Sequence, residues 1–463
     1  MPQNYNSFSH DNWHSLYHGG GTYLYYQHKF NNEGHYLSAN AYGGWWGNQS
    51  KSTSFDHYEA QPQLSYDNRT QSPYTSGYGS LGINYSYPYS KKGEIGTGID
   101  LDFSNSRSDY LRDTMDAANV YHTDALRSDS SRSGSTSASA YLSWRREWGN
   151  FTFSASARGS LNKSTSRHVA EPQFDTTIHY FSFSPSVYLS YSTESMHSFS
   201  LSYSTRTSHP SAGSLSRYVR YGIASYSTGN PDLAPSRSHE VELEWSKYFE
   251  KGHSVGIDAS VETNTDEESS IDDPVYSPLF GRWVNFSKPY NAEDNRRFNI
   301  SANAMYRPTA FLNFRLYTGI TNNWYHVMVR PDKWIENQMT SWNISARIWA
   351  KLWNRLNVFV SGQYRSRRLG YSGTDIDEPY KSINLGMSAD FFDRRLSLYF
   401  NANDIFNWEQ WSRLDINPYS NSSYLSKSTS SYLTFGLTLR FGKMELSNSS
   451  REGIQEGSSS GRK

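Results

Sequence analysis

The stretch LSLYFNANDIFNWEQW, Leu396 to Trp411, opens with an apolar residue at every second position: Leu396, Leu398, Phe400 and Ala402. Ser397, Asn401 and Asn403 stand among the residues between them. Successive side chains of a strand point to opposite faces, so this pattern describes a strand with one apolar and one polar face. The pattern recurs through most of the chain. Phe199, Leu201 and Tyr203 alternate with Ser198, Ser200, Ser202 and Ser204. Val241, Leu243 and Trp245 alternate with Glu240, Glu242 and Glu244. Val255, Ile257, Ala259 and Val261 share one face, and the last segment sets Leu433, Phe435, Leu437, Leu439 and Phe441 against Thr434, Gly436, Thr438 and Arg440. The fold is therefore all-β. Three glutamates on one face need water or partners. The outer side of a soluble sheet and the wet inside of a barrel both supply them, and periodicity alone leaves the two open.

Composition weighs on that choice. Only 36% of the 463 residues are hydrophobic, and mean hydropathy is −0.77. A soluble chain of this length would bury a large aliphatic core; this one carries 37 Tyr, 23 Phe and 14 Trp instead. So many aromatics argue against bulk disorder, and they suit a barrel with aromatic girdles at two membrane interfaces. Lys and Arg total 44 against 44 Asp and Glu, so the basic surplus of a nucleic-acid surface is absent. There is no cysteine, which excludes disulfides, thiolate metal sites and a cysteine nucleophile. No apolar run reaches the ~18 residues of a membrane helix, but barrel strands of ~10 half-apolar residues escape that criterion. The opening MPQNYNSFSHDNWHSLYHGG lacks the apolar segment of a signal peptide. An exported protein needs one, so the reading is that the chain is a piece of a longer polypeptide.

The connections favour the barrel. Short turns are read at Glu147–Asn150, Ser192–His197, Phe249–His253, Arg307–Ala310, Lys351–Arg355 and Phe392–Arg395. Long loops are read near 164–177, 207–236, 265–293, 324–339, 367–380 and 407–430. Regular alternation of short and long is what an up-and-down transmembrane barrel gives. The count is about 18 strands, with about 13 after Ser133. Asn31–Gly34 reads as a short turn on what should be the long-loop side. The expected layout is a poorly ordered segment over 1–18, a barrel over 19–442 and a disordered polar tail over 443–463.

Spaced motifs carry a resemblance. The segment HSFSLSYSTRTSHPSAGSL leads to YSTGNPDLAPSRSHEVELEWSKYF. Gly229, Asn230, Pro231, Leu233, Pro235, Ser238, His239 and Glu240 fill the places of a GNPxLxPExSHxxE pattern, with Ser236 where Glu is usual. An NDIFN element follows, with Asn403, Asp404 and Phe406, and then the terminal strand from Tyr432 to Lys443. Together these resemble the outer-membrane β-barrel family close to TonB-dependent receptors, in the form common in Bacteroidetes. The resemblance spans about 175–443. It implies the C-terminal barrel portion of a nutrient transporter in a Gram-negative outer membrane, part of a barrel of about 22 strands, without its plug domain. It further implies contacts with outer-membrane lipid through Leu433, Phe435, Leu437, Leu439 and Phe441, and with the barrel assembly machinery. A TonB system and a surface lipoprotein are further expected partners. A plug-free pore and a surface adhesion or binding barrel are the alternatives.

Other candidate sites are weaker. His179, His239 and His253 fall on strands or their ends, with no metal-binding spacing. Asp266, Glu267, Glu268, Asp272 and Asp273 could hold a cation but read more simply as a solvated loop. Glu240, Glu242 and Glu244 are expected to pair with lumen arginines such as Arg315 and Arg347. A Ser-His-Asp set could be drawn from so many serines, yet no nucleophile elbow marks one. No catalysis and no cofactor are expected. Trp45, Trp46, Trp283, Trp324, Trp408 and Trp411 read as an interfacial girdle, with Trp283 and Trp324 as candidate ligand-stacking residues in long loops.

Overall fold

The computed structural model describes residues 7–441, apart from 59–65, 117, 223–224, 280, 332, 354, 371, 410, 417–420 and 427–429. The expected tail over 443–463 lies outside them. Eighteen strands form the main sheet. One is the three-residue Tyr121–Thr123, which extends the pairing of a longer neighbour. The other seventeen make one antiparallel meander. They are β1 Ser7–Lys29, β2 Tyr36–Tyr58, β3 Tyr66–Ser90, β4 Gly93–Met115, β5 Asp129–Trp148 and β6 Phe151–His168. There follow β7 Thr176–Ser192, β8 His197–Ser208, β9 Ser236–Tyr248, β10 Ser254–Thr265, β11 Asn295–Thr309 and β12 Leu312–Arg330. The series ends with β13 Lys333–Leu352, β14 Leu356–Arg365, β15 Tyr380–Phe391, β16 Leu396–Asn403 and β17 Tyr432–Leu439. Each strand pairs with its neighbours in chain order. The all-β, up-and-down architecture and the strand count thus follow the alternation in the sequence.

Two parts of the sequence reading need correction. β1 starts at Ser7 and pairs residue for residue with β2, from Ser7↔Tyr58 to Lys29↔Tyr36. The described strand therefore enters the segment expected to be poorly ordered, and Asn31–Gly34 lies at the short-turn end, not the long-loop end. The run Gly19–Gly21 breaks the apolar alternation inside β1 and hides half of that strand from a periodicity argument. Gly34, at φ 96°, takes the left-handed conformation that this turn needs. Likewise 324–339 is no loop. β12 continues to Arg330 and β13 starts at Lys333, because Tyr325, Val327 and Val329 alternate and bury one face.

The apolar faces line up across the wall. Leu201, Leu243, Ala259, Ile300, Ile320 and Trp342 are successive cross-strand neighbours from β8 to β13, and all but Ala259 are exposed. One residue along, Glu242, Ser260, Asn299, Thr321 and Ser341 form the matching polar row. The wall thus wears its oil outside and its water inside, the reverse of a soluble sandwich.

Buried apolar side chains gather elsewhere. Among the described residues, all but Ala402 lie in the long connections or at the outer end of β12. Ile271, Tyr290, Ala292, Tyr325, Val327 and Leu369 form one cluster. It joins β12 to a hairpin, Glu267–Ser277 with Arg282–Ala292, and to a second small sheet that includes Arg368–Leu369, Asp375–Asp377 and Trp411–Ile416. These described parts of the long connections are folded structure resting on the rim of the wall.

Candidate functional site

The polar faces of β9 to β15 converge on a cavity of about 600 Å³, roofed by the segment Arg368–Gly370. Its walls carry Glu240, Glu262, Arg297, Gln363, Arg365 and Tyr380. Alternation places these side chains, because each is an odd step from an outward apolar residue on its own strand. Arg297 Nη1 lies 3.2 Å from Glu262 Oε2, and its Nε donates to Asn323 Oδ1 at 3.2 Å. Gln363 Nε2 donates to Tyr380 Oη at 3.1 Å and to Ser382 Oγ at 3.0 Å. Arg365 differs. Its guanidinium stands 5.9 Å from the Tyr380 ring centroid, and its Nε is buried without a hydrogen-bond partner. The cavity therefore presents hydroxyls, amides, the Glu240 carboxylate and a guanidinium with a spare donor, a lining suited to a polar solute.

The roof is held by charge. Asp377 is 1% exposed. Arg368 Nε lies 3.0 Å from one of its oxygens, and Arg413 Nη2 3.0 Å from the other. Arg413 Nη1 also reaches Asp375 at 3.0 Å. Burial alone would push the Asp377 carboxyl up, but the bonds from Arg368 and Arg413 outweigh it and hold it below the usual carboxylate range.

The motif residues do not gather at one chemical centre. Gly229 N donates to Ser216 O at 2.8 Å, and Asn230 Nδ2 to Pro289 O at 3.1 Å. Leu233, after Pro231, is 4% exposed. Ala234, before Pro235, donates its N–H to Asn291 Oδ1 at 2.8 Å. This stretch knots the connection before β9 to the outer hairpin. Ser238 then donates to Glu262 at 3.1 Å on the lumen face. His239 turns outward, its Nδ1 3.0 Å from Tyr203 Oη. Asp404 is fully buried and accepts the N–H of Trp408 at 3.0 Å and of Glu409 at 2.6 Å. Phe406, after Asn403 and Asp404, stacks on Trp408 at 4.5 Å.

Several expected roles move. Among the described residues no ion pair joins Glu240, Glu242 or Glu244 to Arg315 or Arg347. Arg315 is in register with Met305, Ser254 and Tyr248, four residues along β9 from Glu244, or ~13 Å. Glu244 instead accepts from Ser200 Oγ at 3.4 Å. Trp324 is on β12, under the Arg296 guanidinium at 5.1 Å, and not in a loop. Trp283 is 68% exposed on the outer hairpin, edge-on to Tyr276 at 6.0 Å. Trp45 and Trp46 lie in the middle of β2, away from its ends.

A Ser-His-Asp set does exist. His168 Nε2 is 3.0 Å from Ser216 Oγ, and its Nδ1 is 3.4 Å from Asp129 Oδ1. Ser216 is 1% exposed, and the Tyr218 ring stacks on His168 at 4.2 Å. A carbonyl substrate has no approach to that hydroxyl, so the set anchors the connection after β8. The signal for it was three residues far apart in sequence, which no spacing rule marks.

A family model described as "Outer membrane protein beta-barrel family" matches residues 28–440. A search of curated proteins finds no match. Among solved structures, the chain is similar to the siderophore receptor PiuA from Acinetobacter baumannii, with a TM-score of 0.58 and 10% identity, covering 94% of this chain and 74% of that one. It is also similar to a double mutant of the Serratia marcescens hemophore receptor HasR in complex with its hemophore HasA and heme, with a TM-score of 0.55 and 11% identity, covering 94% and 72%. A third is the FrpB iron transporter of Neisseria meningitidis, F5-1 variant, with a TM-score of 0.56 and 11% identity, covering 91% and 73%. At these identities the likeness is one of fold.

Proposed function

The chain belongs to the outer membrane protein beta-barrel family, and on that premise we propose that it forms the barrel wall of a TonB-dependent-receptor-like transporter for nutrient uptake. The observation that carries this reading is the roofed polar cavity. A barrel used only as a scaffold has no need to keep about 600 Å³ of lumen open beneath a folded outer platform. The outward rows, including Leu433, Phe435, Leu437, Leu439 and Phe441, meet lipid, and the polar rows meet water and solute. The outer platform is the side that captures solute, with Trp283 exposed on it.

Two further elements belong to the reading. In this reading the lumen is gated by a plug domain, as the family resemblance implies. Among the same residues β1 pairs only with β2, and β17 only with β16. An open edge is not tolerated in hydrocarbon. Seventeen is odd, so β1 and β17 run in the same direction, and antiparallel closure takes an odd number of further strands. Five would give a 22-stranded wall. The TonB system and a surface lipoprotein are the partners this implies, and the assembly machinery would read the end of β17.

The test is whole-cell uptake in a deletion strain complemented with the full gene. Iron chelates, haem and copper are suitable first solutes, given what the fold neighbours carry by name. Uptake that needs the proton-motive force, and that falls on Arg365→Gln, supports the proposal. Uptake indifferent to an uncoupler would make the protein an ungated pore. Surface binding without uptake would make it an adhesion barrel. Either result overturns the proposal.

A further inference from the structure

Below the roofed cavity, near the short-turn end, Arg315 on β12 stands directly opposite Arg347 on β13. Both lie on the polar face, because Leu316, Ile344 and Ile348 on the same strands point outward and are exposed. Directly opposed side chains in an antiparallel pair have Cβ atoms ~4.5–5.5 Å apart, and like charges so placed repel. Three other lumen arginines of this chain have carboxylates close by: Arg158 has Asp100 at 2.6 Å, Arg297 has Glu262 at 3.2 Å and Arg368 has Asp377 at 3.0 Å. Among the described residues neither Arg315 nor Arg347 has one. Arg347 is nevertheless held in place. Phe359 lies against the Arg347 guanidinium at 4.3 Å, and the Phe359 ring itself covers Gly386, where a Cβ would collide with it.

The two arginines border a recess of about 400 Å³ together with Asn303, Met305, Tyr317 and Ser345. Two residues toward the short turn on the same face, Asn313 is 5% exposed, and its Oδ1 has no hydrogen-bond partner. A buried polar atom left without a partner is costly. Two uncompensated guanidiniums and the open space beside them share one requirement. An oxyanion meets it: its oxygens accept from both forks at once, turning repulsion into two charge-assisted contacts.

We propose that Arg315 and Arg347 form an oxyanion-binding site on the lower lumen wall, for a carboxylate or a phosphate-like group. This goes beyond the transport reading and holds whether or not a solute crosses. The group has two sources, a free anion in the lumen or an acidic side chain that a further segment of the polypeptide places there.

Crystals of the full-length protein soaked in selenate test the site through the selenium anomalous signal. The expected result is a peak between the two guanidiniums. It should weaken in Arg347→Gln, persist in Arg347→Lys and vanish in the double variant Arg315→Gln/Arg347→Gln. In parallel, phosphate should raise the Tm of the wild type but not that of the double variant. Heat-modified mobility on gels reports that each variant has folded. A carboxylate of the protein itself bridging the pair, with no selenate bound, supports the site and fixes its source as internal. Water alone at the pair overturns the proposal. So does a selenate peak that survives in the double variant, which would be an adventitious ion only.

Discussion

The Ser430 hydroxyl donates to the Asp404 carboxylate at 2.6 Å. That one contact ties the end of the connection after β16 to its start, 26 residues apart. Asp404 also accepts the N–H groups of Trp408 and Glu409, so a single buried carboxylate joins the two ends of the crossing to β17.

Removing that carboxylate should release the connection. Asp404→Ala leaves two N–H donors and a hydroxyl without their acceptor and is expected to cost about 3 kcal/mol of local stability. Limited proteolysis within 405–430 is the measurement. Asp404→Asn keeps one acceptor oxygen and should fall between the two.

Acid should loosen the roof of the cavity. The folded-state pKa of Asp377 is depressed, as is that of Asp404, where burial is outweighed by Ser430, then Glu409 and Trp408. A depressed carboxylate contributes stability above its unfolded pKa, ~3.9, and loses it as pH falls through the lower folded value. Hydrogen exchange over 368–416 should therefore be flat near neutrality and rise only on strong acidification. Asp377→Asn should raise exchange already at neutral pH and flatten the acid response.

Gly229 leaves no room for a side chain. A Cβ there would meet the carbonyl oxygens of Ser216 and Ser214. Gly229→Ala is expected to destabilise the knot before β9 by ~1–3 kcal/mol. Increased cleavage in 209–235 with an intact barrel would show it, and unchanged protection would contradict the packing described.

The two faces of β17 should respond oppositely to charge. Leu437 is 55% exposed on the apolar face. Leu437→Lys should cost ~2–4 kcal/mol in urea titrations from lipid vesicles if it faces the bilayer. Thr438→Lys, on the polar face, should be close to neutral. Equal costs would remove the assignment of faces.

Closure of the wall is open to exchange measurements on the native outer-membrane protein. If, as proposed, a further odd set of strands pairs with both edges, backbone amides along β1 and β17 are protected to the same degree as those of interior strands such as β10. Fast exchange along either edge would refute closure.

Much of the fold can be read directly from the residues. Period-two alternation in β8 to β17 fixes strand, face and the order of short and long connections, because each is a local property of a pleated chain. Alternation also puts Glu240 and Asn401 on one face of the wall and Leu433 and Phe435 on the other. It failed in β1, where Gly19–Gly21 erases the pattern, and at the β12–β13 tip, where Tyr325 and Val327 read as loop until the cluster with Ile271 and Leu369 is seen. What lies opposite what is a matter of register, and register is set by pairing with distant strands. The carboxylate of Asp404, the set of Ser216, His168 and Asp129, the cation over Phe359 and the facing of Arg315 with Arg347 therefore exist only in the tertiary structure, which alone brings residues tens of positions apart within bonding distance.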